Sequence, residues 1–521
     1  MIDAGHVSTQ SSLHAHRSTV IDRVRRGLFV VTIIVPALSS AQGGAAAPGS
    51  VTAIGAQRDS VRPTQAKAAP KAPVQSIAKA PVRPDFKSLR FDEAWTSASR
   101  SPRWDDEIKV IPIAPLLTLT LGGQVRWREE FAQSFNFTNS SDNYGQSRVL
   151  IDADLQAGNP RRLHGRVFAE FRDAQSYDRD LVGGTRTNDA DRSDMQNLFA
   201  DVAFAKSYVR YGRQEVVTNR ERLVGVPDWS NTRREFEGTR VMLVQGAFAF
   251  DALDARPLEV RLAKHDISDT TTRFRVLSVG SAPGAKAPFK ALPATWQAYW
   301  YEQLISVATP TRRLTSGARA AWTFGSTSRT GQSYGFESEG AVQRGVTGAT
   351  ALHAWFWTTE ATTQWRGVRG APTLVVGLEE ASGDRDATDA RLESFNALYA
   401  AAHAHGGYAD VFGRANARET HVISTWDPIR KMNLRGSWHR YDRLRLEDGV
   451  YNKQNTLLRA ASGSQQRHAG DEIDLTATLS ATRHLKLIAG HAWVLPGAFL
   501  RDTPGGAHQE RWGFVGTTFT F

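Results

Sequence analysis

Guanidinium groups are the side chains of this sequence best suited to chemistry, and their spacing says which kind. In "SRVLIDADLQ", Val149, Ile151, Ala153 and Leu155 share one face of an extended chain. Arg148, Asp152 and Asp154 share the other, with Leu150 the exception. In "LHGRVFAEFR", Leu163, Val167, Ala169 and Phe171 oppose His164, Arg166, Glu170 and Arg172, with Phe168 out of pattern. Arg210 and Arg240 fall on the polar face of their own alternating segments. A guanidinium fork makes paired hydrogen bonds to a carboxylate. A row of such groups along a polar surface can draw an anionic solute in and still release it. Asp152, Asp154, Glu170, Asp201 and Glu215 leave a second reading open, in which each arginine is neutralised by an internal pair.

Further basic residues lie between the alternating segments. Arg220, Arg222, Arg233 and Arg234 belong to a long polar stretch, Thr218 to about Glu235, that is expected to fold inward as a constriction. Arg213 follows Val209 and Tyr211 on the apolar side. A bulge at Gly212 would turn it inward, whereas a strand already at headgroup level would tolerate it outward; inward is the expectation. Asp384, Asp386 and Asp389 lack the full spacing and terminal glutamate of a calcium loop and read as a polar outer loop. His403, His405 and Asp410 carry metal-ligating atoms but read as a loop motif, so no metal and no cofactor is expected. The chain has no G-x-S-x-G, no H-E-x-x-H and no phosphate-binding loop. A non-enzymatic protein is expected.

The elements that would position these groups are strands. From about residue 115 to the end, alternating segments recur, joined by alternately short and long polar connections. That rhythm fits a transmembrane antiparallel β-barrel with short turns at one end and long loops at the other. Mean hydropathy is −0.39, which excludes a bundle of membrane helices. Tryptophans such as Trp127, Trp322, Trp365, Trp438 and Trp493 sit near expected strand ends, as interfacial girdles do. "ERWGFVGTTFTF" ends on Phe521, a final strand of the kind read by the outer-membrane assembly machinery. About 430 residues, at roughly 20–27 per strand and its connection, give about 18 strands, within 16–20.

The N-terminal part differs in composition. Arg17, Arg23, Arg25 and Arg26 precede the apolar run Gly27–Leu38, and Ser39 and Ala41 suit cleavage, so 1–41 reads as a signal peptide. Residues 42–90 are rich in Pro, Ala and Lys and read as a disordered periplasmic linker. The linker holds eight basic residues against two acids, and the signal four against two. Of the net charge of +11, only +3 therefore belongs to residues 91–521, and the high overall charge is no argument for nucleic acid. The absence of cysteine suits an oxidising compartment.

Two stretches carry a resemblance. The first holds Gly212-Arg213-Gln214, Arg222-Leu223-Val224-Gly225, Trp229-Ser230-Asn231 and Arg234-Glu235-Phe236-Glu237-Gly238. The second holds Ala381-Ser382-Gly383-Asp384, then Phe395 to Tyr399, His403 and Gly407-Tyr408-Ala409-Asp410. Both resemble the alginate export family of outer-membrane proteins, over residues from about 118 to 521. The resemblance implies a large monomeric barrel in the outer membrane whose electropositive lumen conducts a polyuronate. The expected partners are outer-membrane lipid, the assembly machinery, and an anionic polysaccharide or small anions. A general or phosphate-type porin, and a barrel enzyme or structural anchor, remain as alternatives.

Overall fold

Every long alternating segment forms a strand. The structure is a computed structural model that describes residues 83–97, 103–159, 162–181, 183–285, 295–326, 328, 330–401 and 403–521. The expected signal peptide and residues 42–82 of the expected linker lie outside the described residues.

Eighteen strands make the barrel. The first nine are β1 (Leu117–Gln133), β2 (Ser141–Gly158), β3 (Leu163–Tyr177), β4 (Asp191–Phe204), β5 (Ser207–Gln214), β6 (Phe236–Gln245), β7 (Phe248–Glu259), β8 (Thr272–Ser281) and β9 (Thr295–Ile305). The rest are β10 (Thr311–Gly325), β11 (Gln332–Thr347), β12 (Thr350–Trp365), β13 (Thr373–Ala381), β14 (Ala417–Ile429), β15 (Met432–Arg443), β16 (His468–Ser480), β17 (Leu485–Pro496) and β18 (Glu510–Thr520).

Each strand pairs antiparallel with the next. The ring closes where β1 meets β18, from Gln124 opposite Thr520 to Gln133 opposite Arg511. Phe521 extends the seam, exchanging two 3.0 Å backbone hydrogen bonds with Gly123. Closure leaves no edge of unpaired backbone groups, as lipid requires.

The two faces are inverted relative to a soluble protein. Ile151, Val202 and Tyr211 point outward at 54%, 61% and 68% exposure. Arg148, Glu170, Arg172, Asp201 and Arg210 point inward and are buried. An unpaired charge on the lipid face costs roughly 2–4 kcal/mol near the midplane, so the alternation sorts itself. Outward charges do occur in pairs, Arg273 with Asp254 at 2.6 Å and Arg275 with Glu302 at 2.8 Å. They sit toward the long-loop ends of β7 to β9.

The expected tryptophan girdle holds only in part. Trp365 ends β12, but Trp438 lies mid-strand opposite Ile473 and Val422.

Two long connections fold back into the lumen. Residues 215–235 follow β5, and residues 382–416 follow β13. They meet at a parallel bridge between Val224 and Tyr399, with 2.9 and 3.0 Å hydrogen bonds from Tyr399 N–H to Leu223 and from Gly225 N–H to Tyr399. Leu223, Val224, Phe395 and Tyr399 pack on Phe236, Phe274, Tyr301 and Phe356 of the wall. The 215–235 loop folds inward, as expected from sequence; in the 382–416 loop the 384–389 segment, read as a polar outer loop, is largely exposed, while Phe395 and Tyr399 turn inward.

Candidate functional site

Most of the expected lumen arginines carry a carboxylate partner. Arg166 pairs with Asp154 at 2.7 Å, Arg210 with Asp201 at 2.8 Å and Arg240 with Asp251 at 2.9 Å. Arg172 is shared by Asp191, Glu235 and Asp266, the last at 3.1 Å. Arg222 reaches across the lumen to Glu337 at 2.6 Å, Glu339 at 3.4 Å and Glu360. Arg220 is half exposed and lies 3.5 Å from Glu337. Arg233 pairs with Glu215 at 2.7 Å, and Arg234 donates to the Tyr399 carbonyl at 2.7 Å. These groups hold the loops and the wall together.

Arg213 sits opposite Leu198 and Glu237, in a register that runs through Gly212 without a shift. Its guanidinium pairs with Asp194 at 2.9 Å and donates to the carbonyls of Met195 and Asp266. Gly212 is required for another reason. It takes φ +132°, and a side chain there would run into the Leu198 carbonyl.

A different set of cations frames open space. A cavity of about 630 Å³ lies between the wall at β1, β2 and β16 to β18, the tip of the 215–235 loop, and residues 85–88. Lys87, Arg126, Arg128, Arg148, Arg483 and Lys486 line it, against Asp85 and Asp228. Arg126 has no carboxylate within 4 Å among the described residues; it donates to the Asp228 carbonyl at 2.6 Å and to Asn231 Oδ1 at 3.0 Å. Arg128 lies 3.9 Å from the Trp229 ring centroid and pairs with Glu130 at 2.6 Å. Arg148 pairs with Asp228 at 2.8 Å. Enclosure works against the charge of Asp228, but Arg148, Arg233 and Arg126 outweigh it and hold this carboxyl well below the usual carboxylate range. With Arg128 paired to Glu130 and Arg233 to Glu215, Asp228 is left to balance both Arg126 and Arg148, a local excess of positive charge facing hydroxyls and an indole.

Sequence reading missed Arg126, Arg128, Lys87, Arg483 and Lys486. The signal for two of them was present. In "QVRWREE", Val125 and Trp127 face out, so Arg126 and Arg128 must face in.

The short-turn end of the cavity is bounded by a strap from the N-terminal side. Phe91 packs edge-on against Phe168 and Phe199 at 5.6 and 5.3 Å. Arg90 bonds Asp152 at 3.2 Å and the Phe521 carbonyl at 2.6 Å. Arg233 in the constriction donates to the Ser88 carbonyl at 2.9 Å. Residues 83–90, which composition places in a linker, are thus held inside the barrel mouth.

The shared-motif residues are mostly fasteners of the two inward loops. Asn231 donates to the carbonyls of Ser147, Gln175 and Asp189 at 2.8–3.0 Å. Gln214 donates to the Gly238 carbonyl, and Gly238 lets the Asp254 carbonyl approach. Phe236 is fully buried against Tyr399. Ser382 Oγ donates to the Glu393 carbonyl at 2.7 Å, and the Asp384 N–H donates to Asp448 at 2.9 Å. Gly383 lies against Asn416, and Gly407 against the Glu472 carboxylate. Trp229 stacks on His403 at 4.3 Å and meets Tyr408 edge-on. His403 Nδ1 lies 2.7 Å from Asp410, which also pairs with Lys453 at 2.8 Å. His405 meets the Arg220 carbonyl.

The Alginate export family matches residues 117–514. The chain belongs to the alginate export family. No curated protein matches it in sequence. Its fold is shared at low identity by Pseudomonas aeruginosa proteins of known structure. OpdO is 12% identical with a TM-score of 0.53, covering 77% of this chain and 97% of its own. OccK8 (OprE) is 11% identical with a TM-score of 0.54, covering 77% and 98%. OccK2 (OpdF), solved in complex with glucuronate, is 12% identical with a TM-score of 0.50, covering 77% and 98%. The family's match begins at the first residue of β1 and ends within β18, so both motif-bearing loops lie inside it.

Proposed function

We propose that this protein is an outer-membrane channel that conducts an anionic, uronate-type polysaccharide or its small relatives, admitting them through the basic vestibule beneath the constriction. The carrying observation is the 630 Å³ cavity with six cationic residues against two acids. Fixed guanidinium groups near water attract carboxylates, and the paired arginines around them keep the field moderate enough for release. Ser480, Thr482, Thr518 and Thr520 on the same surface supply partners for sugar hydroxyls.

A second reading is a channel for single small carboxylates. Loops that fill much of the lumen favour it, and glucuronate in the complex with OccK2 is a solute of that class.

Single-channel recording in planar bilayers tests both. Anion selectivity, block by oligouronate, and loss of both in Arg126→Ala/Arg128→Ala are expected. Cation selectivity in the unaltered protein would overturn the proposal. Permeation by glucuronate with no block by oligouronate would favour the second reading.

A further inference from the structure

β14 and β15 bring three strong metal donors to one point on the lumen wall. His421 and His439 stand directly opposite each other in the ladder. Glu419, two residues before His421, shares its face. Opposed residues on one face hold their Cβ atoms about 4.5–5.5 Å apart, close enough for two imidazoles to share an ion. One donor atom from each of the three residues lies within 4.8 Å of the others. Glu419 and His421 are each 6% exposed, and His439 is fully buried.

The rings are oriented alike. His439 Nδ1 is 2.7 Å from Glu419 Oε1, and His421 Nδ1 is 3.4 Å from the same oxygen. Behind them, His439 Nε2 lies 3.6 Å from Asp474 and His421 Nε2 lies 3.8 Å from Glu360. A carboxylate behind a ligating imidazole fixes its tautomer and raises its basicity. Both ring nitrogens of His421 and Nε2 of His439 make no hydrogen bond among the described residues. Burying such groups unsatisfied is costly, and an ion is one of the few things that accounts for them. Glu419 also borders a cavity of about 30 Å³ shared with His405 and Gly406, room for a water-sized fourth ligand.

We infer that Glu419, His421 and His439 form a binding site for a zinc-type dication on the lumen wall. Two imidazoles and one carboxylate suit Zn²⁺, Cu²⁺ or Ni²⁺, whereas Ca²⁺ and Mg²⁺ call for oxygen donors throughout. The ion would tie β14 to β15 beneath the 382–416 loop. The site stands apart from the basic vestibule and does not depend on the conducted solute.

The test uses the full chain without a polyhistidine tag, folded in detergent and stripped with EDTA. ZnCl₂ is titrated against a chromophoric chelator. About one equivalent is expected to bind, with affinity falling at least about tenfold in His421→Asn and His439→Asn. His265→Ala, at an 84% exposed side chain, should bind as the unaltered protein does. A heat-dependent gel shift confirms that each variant is folded. Should a variant not fold, X-ray absorption on the zinc-loaded unaltered protein decides, with two imidazoles expected in the coordination shell. No binding, binding unchanged in His421→Asn and His439→Asn, or a shell without two imidazoles would overturn the assignment.

Discussion

Two arginines of the same lumen do opposite things, and their partners say why. Arg222 pairs with three glutamates that β11 and β12 hold in the wall. Arg220 and Arg319 also reach Glu337, but removing Arg222 leaves the buried Glu339 without its counter-charge, which costs about 3–5 kcal/mol. Arg222→Ala should therefore lower the unfolding free energy of the detergent-folded protein, read from urea titration, by an amount in that range, and a neutral result would refute the cross-lumen tie. Arg126 meets carbonyls and an amide oxygen instead. Arg126→Ala should cost about 1 kcal/mol of stability while lowering the anion-to-cation permeability ratio, read from reversal potentials in a salt gradient. Alternation shows the side on which Arg148 or Arg166 lies. It does not show whether a guanidinium finds Asp154 or open water, because that is set by the register of neighbouring strands and by the inward loops. The same holds for Glu419, His421 and His439, whose Glu-x-His spacing means little until β15 is placed opposite.

The loops depend on short-range fasteners that are legible as motifs but not as contacts. Trp229 is far in sequence from His403 and Asp410, yet it stacks on His403, and Asp410 holds both His403 and Lys453. Enclosure raises the pKa of Asp410, but His403 and Lys453 outweigh this and hold its carboxyl well below the usual range. A depressed carboxyl contributes stability that is present above its unfolded pKa and lost as pH falls through the folded one. The inward packing of residues 403–410 should thus be unchanged from neutral pH down to the ordinary carboxylate range and loosen progressively as pH falls below it. Asp410→Asn removes the charge at every pH and should cost roughly 2 kcal/mol. Limited proteolysis of folded protein at pH 7 should then cut this loop in the variant and spare it in the unaltered chain; equal resistance would show that the fastener is unimportant. In the long 382–416 loop the polar 384–389 segment stays exposed, as expected, but the loop as a whole folds back. It turns inward because Phe395 and Tyr399 find an apolar wall at Phe236, Phe274 and Phe356.

At the scale of the whole molecule, the barrel was readable because lipid imposes one rule on every strand, and about 18 strands could be estimated from length alone. The strap was not readable. Residues 83–90 run on directly from the Pro-, Ala- and Lys-rich segment before them, and Arg90 and Phe91 acquire meaning only beside Asp152, Phe168 and Phe199. Their position has a consequence for transport. The strap borders the basic cavity, places Lys87 in it, and ties itself through Ser88 to Arg233 of the constriction. It is held at the other end by Arg90 against the Phe521 carbonyl, at the barrel's closing seam. A solute entering from the short-turn end must pass beside this segment. Deleting residues 83–95 removes it while leaving all 18 strands, since β1 begins at Leu117. The deletion should fold, give a larger unitary conductance, and weaken block by oligouronate through the loss of Lys87. Unchanged conductance in a correctly folded deletion variant would mean that the open path runs elsewhere and that the strap serves only to brace the mouth.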